Sequence, residues 1–227
     1  MASTAVDTHA HHHPGLHHQF EDIEQQNEAY LVGMWSFMVN EIMFFGGVFL
    51  VYCLYRWRYQ DDFYAIHHEL NWKMGAFNTT VLLFSSFSMV MAVHFATLKD
   101  RMKTLMNLAL TCACAFTFLI VKYFEYGAKF EHKLFPGPNF RPELEHLNGA
   151  NPNVAQLFMS LYFGITGLHA LHIIIGILII GILMGFWYKK NPLVTEDFLP
   201  TEMVGLYWHF VDLVWIFLFP LFYLIPR

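Results

Sequence analysis

Apolar positions along this chain fall into five long runs, each of the length that crosses a bilayer. A hydrocarbon core of about 30 Å takes roughly 20 helical residues, and runs of that kind occupy residues 29–55, 71–97, 105–126, 153–188 and 201–223. The pattern predicts an all-α, polytopic membrane protein with five transmembrane helices in one bundle, spanning residues 29–227 with no soluble domain inserted. The fourth run is longer than a bilayer requires and is expected to tilt or to project past the headgroups. Connections are short, except for residues 127–152. There Phe135-Pro136-Gly137-Pro138 and Asn151-Pro152 punctuate a longer excursion, a candidate for contact with a partner. Residues 1–28 read as a polar tail holding His9, His11, His12, His13, His17 and His18, either a solvated segment or a proton- or metal-binding one.

Composition narrows the class. Of 227 residues, 56% are hydrophobic and only 14% charged, too few charges to cover a soluble domain of this size. A net charge of −5 leaves no basic footprint, so nucleic acid is not an expected partner. Cys53, Cys112 and Cys114 all sit in apolar runs, where they are expected as small packing residues and not as disulfides. The first residues lack the basic start and apolar stretch of a secretion signal, so none is expected. Five spans put the termini on opposite sides. Lys99, Arg101, Lys103, Lys189 and Lys190 share the side of the N-terminus. Arg56, Arg58, Lys73, Lys122, Lys129, Lys133, Arg141 and Arg227 share the other, and this charge count alone would place the N-terminus outside.

The chemistry-bearing residues are the polar ones inside the spans, because a charge at mid-bilayer costs about 2.5–3.5 kcal/mol on insertion scales unless something answers it. Glu41 lies near the middle of the first span and reads either as a proton or lipid-pocket carboxyl or as a hydrogen-bonded structural group. Asn78, Thr79, Thr80, Ser85, Ser86 and Ser88 line the second span, where small polar side chains permit close helix approach. His94 and Glu125 lie toward the ends of the second and third spans, and Lys122 is spaced to pair with Glu125. His169 and His172 share a face of the fourth span, as do His209 and Asp212 of the fifth, next to Trp208. Residues three apart on facing helices can bind a metal or a b-type haem, carry protons, or form an interhelical polar network. The spacing alone leaves all three open.

Several stretches together resemble a known family. Asn40-Glu41-Ile42-Met43-Phe44-Phe45, Asn78-Thr79-Thr80-Val81-Leu82-Leu83, Phe124-Glu125-Tyr126, Gly167-Leu168-His169-Ala170-Leu171-His172 and Tyr207-Trp208-His209-Phe210-Val211-Asp212 match, in order and spacing, subunit III of haem-copper cytochrome c oxidases. The resemblance covers roughly residues 28–226. It implies a five-span subunit of bacterial type, lacking the first two helices of the seven-span members. Such a subunit packs directly against catalytic subunit I, alongside subunit II. It belongs to a respiratory complex that reduces oxygen to water and pumps protons, and it carries no haem or copper itself. The resemblance further implies bound phospholipid, and a lipid, oxygen-access and proton-uptake role for Glu41. Asn78, His94, Glu125, His169, His172, Trp208, His209 and Asp212 are implied to form a structural polar network with no metal. The location implied is the bacterial inner membrane, with a cytoplasmic N-terminus and an outer-face C-terminus. A quinol oxidase subunit and a nitric oxide reductase accessory subunit are the nearest alternatives. A b-type haem carrier and a proton-coupled transporter belong to a different class.

Overall fold

The computed structural model describes residues 19–138, 140–142, 144–195 and 197–225. The histidines expected to characterise the tail, His9 to His18, lie outside the described residues. All five predicted spans are helices: α1 (Ile23–Arg58), α3 (Trp72–Thr97), α4 (Arg101–Glu131), α6 (Pro152–Tyr188) and α8 (Leu199–Tyr223). Each is long and apolar enough to cross a membrane. Short helices α2 (Gln60–Ile66), α5 (Leu144–Leu147) and α7 (Pro192–Thr195) lie in the connections, and no strand occurs among the described residues.

Local chemistry sets the helix ends. Asp22, Asn71, Asp100 and Asn151 cap α1, α3, α4 and α6, each side chain accepting a backbone N–H of the first turn. Lysines in left-handed backbone close three spans: Lys99, Lys133 and Lys190 have φ of 56°, 54° and 54°. Beside each, paired N–H bonds reach back over the last turn, as from Lys133 N to Phe130 O and from Leu134 N to Lys129 O. The connection after α4 is therefore shorter than its sequence indicates. Gly127 does not end the helix, which runs on to Glu131 because Ala128, Lys129 and Phe130 continue it and the stop comes with Lys133.

Helices α3, α4, α6 and α8 form a closed four-helix ring, α3 packing on α4 and α8, and α6 closing the other side. Trp187, Trp208, Trp215, Phe118, Phe158 and Tyr162 are among the largest fully buried side chains these helices carry. α1 stands outside this ring. Only 11% of its apolar window is buried, against 50% for α8, and Gln26, Phe45 and Tyr52 are its buried residues. Its second half is held by Tyr52, whose hydroxyl donates to Leu221 O and whose ring packs on Phe222 at 4.6 Å.

At the end of the bundle opposite the N-terminus, Glu69 gathers the connections. Its carboxylate meets His146 Nδ1 at 3.2 Å and Asn148 Nδ2 at 3.3 Å, and its carbonyl accepts from Lys129 Nζ. Asp62 Oδ1 accepts from Asn151 N at 2.8 Å, which ties α2 to the start of α6.

Candidate functional site

The polar residues singled out in the sequence separate into three places. The first is a seam between α3 and α8, where indole and imidazole nitrogens of one helix meet hydroxyls of the other. Trp208 Nε1 donates to Ser85 Oγ at 2.9 Å, His209 Nδ1 meets Ser86 Oγ at 2.8 Å, and Trp215 Nε1 donates to Thr79 Oγ1 at 3.0 Å. Trp215, two turns further along α8 than Trp208 and His209, meets Thr79, which precedes Ser85 and Ser86 on α3, so the helices run antiparallel. Gly176 of α6 makes room for the same indole: a Cβ there would stand 2.7 Å from Trp208 Cζ3. Tyr207, one residue earlier, donates its hydroxyl to His172 O at 2.9 Å and fixes α8 against α6.

The second place is a charged knot inside the ring. Lys122 Nζ lies 2.9 Å from Glu125 Oε2, 2.8 Å from Tyr223 OH and 3.2 Å from Tyr162 OH. Tyr223 donates onward to Glu125 Oε1 at 2.6 Å, and the ammonium sits 4.7 Å from the Trp215 ring. A buried ion pair holds only if its remaining hydrogen-bonding capacity is met, and here two phenols and an indole face meet it. The spacing of Lys122 and Glu125 signalled their pairing. Tyr162, Tyr223 and Trp215 carry no local signal, because they arrive from other helices.

The third place is Glu41 on α1 with His172 on α6. His172 Nε2 stands 3.4 Å from Glu41 Oε2, and His172 Nδ1 lies 2.9 Å from Leu168 O. A carbonyl only accepts, so Nδ1 carries a hydrogen and donates it. Nε2 is left facing the Glu41 carboxyl. The distance exceeds the roughly 2.7–2.9 Å of a closed charge-assisted bond, and Glu41 Oε2 is buried without a hydrogen bond.

His169 and His172 do not converge as a shared face would allow. His169 points into the ring, stacked on Trp215 at 5.2 Å with neither nitrogen hydrogen-bonded, whereas His172 turns to α1. Asn78 is fully buried with both amide atoms unpaired. Asp212 is buried beside Ser86, with neither oxygen in hydrogen-bond geometry. His94 is exposed at the end of α3 against Phe95 and joins none of these groups. Among the described residues, no three His, Cys, Asp or Glu side chains gather as metal ligands.

An apolar groove separates the first half of α1 from α6 and α8. Its outer part, about 600 Å³, starts at Ile23 and Gln26 and passes Asp197; its inner part, about 440 Å³, ends at Glu41, His172 and Tyr207. Met34, Phe37, Ile179, Met203 and Val204 line both parts, which are therefore continuous. Among the described residues, no Lys or Arg lines either.

Comparison with known proteins gives a consistent result. The family model for cytochrome c oxidase subunit III matches residues 143–226. The chain is 29% identical over 229 residues to cytochrome c oxidase subunit 3 of Thermostichus vulcanus, covering 98% of this chain and 94% of that one. It is 30% identical over 205 residues to cytochrome c oxidase subunit 3 of Yarrowia lipolytica, covering 85% of this chain and 66% of the relative. It is also 29% identical over 199 residues to a heme-copper oxidase subunit I+III of Aeropyrum pernix. That match takes in 85% of this chain and 22% of the archaeal protein, so the chain spans about a fifth of that relative's length.

Proposed function

We infer that this chain, which belongs to the cytochrome c oxidase subunit III family, works as a non-redox, multi-pass subunit of a haem-copper terminal oxidase and packs against the catalytic subunit. The observation that carries this reading is the antiparallel α3–α8 seam, in which Trp208, His209 and Trp215 use their ring nitrogens on Ser85, Ser86 and Thr79. Of the residues that looked like metal ligands in sequence, His209 bonds Ser86 across this seam and His172 faces Glu41. In this reading haem and copper belong to partner subunits.

Support for direct contact with the catalytic subunit comes from the Aeropyrum relative, whose name joins subunits I and III in one chain. The sparsely buried α1 is a surface available to such a neighbour. In this reading the N-terminus faces the cytoplasm of a bacterial inner membrane, and the Glu69–His146 end of the bundle faces outward. The groove beside α1 holds lipid, and Glu41 at its inner end serves proton uptake and lipid or oxygen access to the neighbouring centre.

Glu41→Gln tests this role. The amide still reaches His172, so assembly is expected to survive, while proton uptake slows or the enzyme loses activity sooner during sustained turnover. Unchanged kinetics over many turnovers would remove the functional role of Glu41.

A further inference from the structure

We propose that His132 and His146 together bind a divalent transition ion at the end of the bundle opposite the N-terminus, with Glu69 as the group that orients the site. The proposal depends neither on the oxidase reading nor on the α1 groove.

Three connections meet to build the site. α4 ends at Glu131, and His132 caps it with its N–H on Ala128 O and Phe130 O. Its ring is left exposed at the helix end. His146 arrives from α5, its ring centroid 4.3 Å from that of His132 and the two planes inclined at 53°. Imidazole is the ligand that zinc, copper and nickel ions accept readily, and two now stand side by side. The last carbonyls of α4 add partial negative charge, which favours a cation beside His132.

Glu69, from the short turn His67–Glu69 that follows α2, settles which nitrogen of His146 is free. Its Oε1 accepts from Asn148 Nδ2 at 3.3 Å, and its Oε2 faces His146 Nδ1 at 3.2 Å. A carboxylate only accepts, so Nδ1 carries the hydrogen and a neutral ring keeps its lone pair on Nε2. A carboxylate placed in this way fixes the tautomer of metal-binding histidines. Among the described residues nothing hydrogen-bonds His146 Nε2, and that nitrogen is not sealed from solvent. Glu69 therefore stands behind the imidazole and not on the ion. The chain offers two ligands and water completes the set, in keeping with the lack of a three-residue cluster among the described residues. An ion held there ties the end of α4 to α5 and, through Glu69, to the turn after α2.

The test uses the full-length chain with whatever subunits purify with it, in mild detergent, stripped with EDTA and then given ZnCl2 or MgCl2. Diethyl pyrocarbonate acylates accessible imidazole nitrogens, and mass spectrometry reads each histidine by position. The tail histidines, His9 to His18, are thereby kept separate from this pair. Zinc is expected to slow labelling of His132 and His146 together, by about ten-fold once free zinc exceeds the dissociation constant ten-fold. His94, exposed at the end of α3, is expected to keep its rate, and magnesium to protect neither member of the pair. His132→Ala is expected to release His146 from zinc protection, and His146→Ala to release His132. Glu69→Gln is expected to raise the zinc concentration needed by about 10–100-fold. Protection of His146 that survives His132→Ala would mean adventitious binding to a single histidine and would overturn the proposal. So would equal protection of His94, protection by magnesium, no protection by zinc, or a pair that stays unlabelled even without zinc.

Discussion

Lys122 and Glu125 form an ion pair of 2.9 Å inside the bundle, their side chains 5% and 2% exposed, with Trp215 flanking the ammonium at 4.7 Å. Removing one member of such a pair leaves a bare charge in a low-dielectric interior, at a cost of about 3–5 kcal/mol. Lys122→Met alone is therefore expected to lower thermal stability sharply in detergent. The double variant Lys122→Met, Glu125→Leu is expected to regain most of the loss, because Tyr162 OH and Tyr223 OH lie 3.2 Å apart and can bond each other. A double variant no better than the single one would show that the pair does not act as a unit.

Gly176 of α6 leaves room for Trp208 of α8, and an alanine scan of the fourth span's glycines should single it out. An added Cβ meets the fully buried Trp208 at 2.7 Å, while one at Gly164, Gly167 or Gly181 meets nothing within 4 Å. Gly176→Ala is expected to cost about 1–3 kcal/mol by overpacking, and Gly167→Ala close to nothing beyond helix propensity. Melting temperatures of the two variants in the same detergent decide it.

The fold was largely legible in the hydropathy, because a bilayer fixes span length and five runs had it. The site was legible only by residue type. Helical periodicity places His169 and His172 on one face, but residues three apart still differ by about 60° around the axis. On a helix lying between α1 and the ring interior that angle sends one imidazole to Trp215 and the other to Glu41. The hydroxyls of Ser85 and Ser86 read correctly as packing groups. Their matching to Trp208 and His209, more than a hundred residues later, depends on antiparallel register that local sequence does not carry. Tyr162 and Tyr223 were missed for the same reason, and Gly127 misled because a glycine on an open helix face does not end a helix.

The seam should show pairwise coupling. Trp208→Phe and Ser85→Ala each break the same 2.9 Å bond, so a double-mutant cycle is expected to return about 0.5–1.5 kcal/mol. Additive losses would mean the contact contributes nothing to holding α3 on α8.

Acid should loosen the turn after α2. Burial is the main cause holding the His67 imidazole below its usual 6.5; the nearby His68 and Arg56 push the same way, and the bond to Tyr64 O opposes them. The unfolded segment then binds more protons than the folded one between the lowered value and 6.5, so stability falls as pH drops through that window and is recovered above it. The protection factors of amides at residues 60–70, exchange being referred to its intrinsic rate at each pH, are expected to fall below about pH 6.5, and His67→Phe should remove the dependence. Protection that stays constant with pH in the native chain would contradict this.

The central claim is that this chain belongs to an oxidase whose redox centres lie in a neighbouring subunit. Affinity purification through a tag on this chain, from membranes of its own organism in mild detergent, tests it with a visible spectrum and subunit masses. The account expects a haem-bearing catalytic subunit to accompany the tagged chain, with haem absorbance unchanged by His172→Phe. A tagged chain that purifies alone, or haem absorbance that disappears with His172, would contradict it.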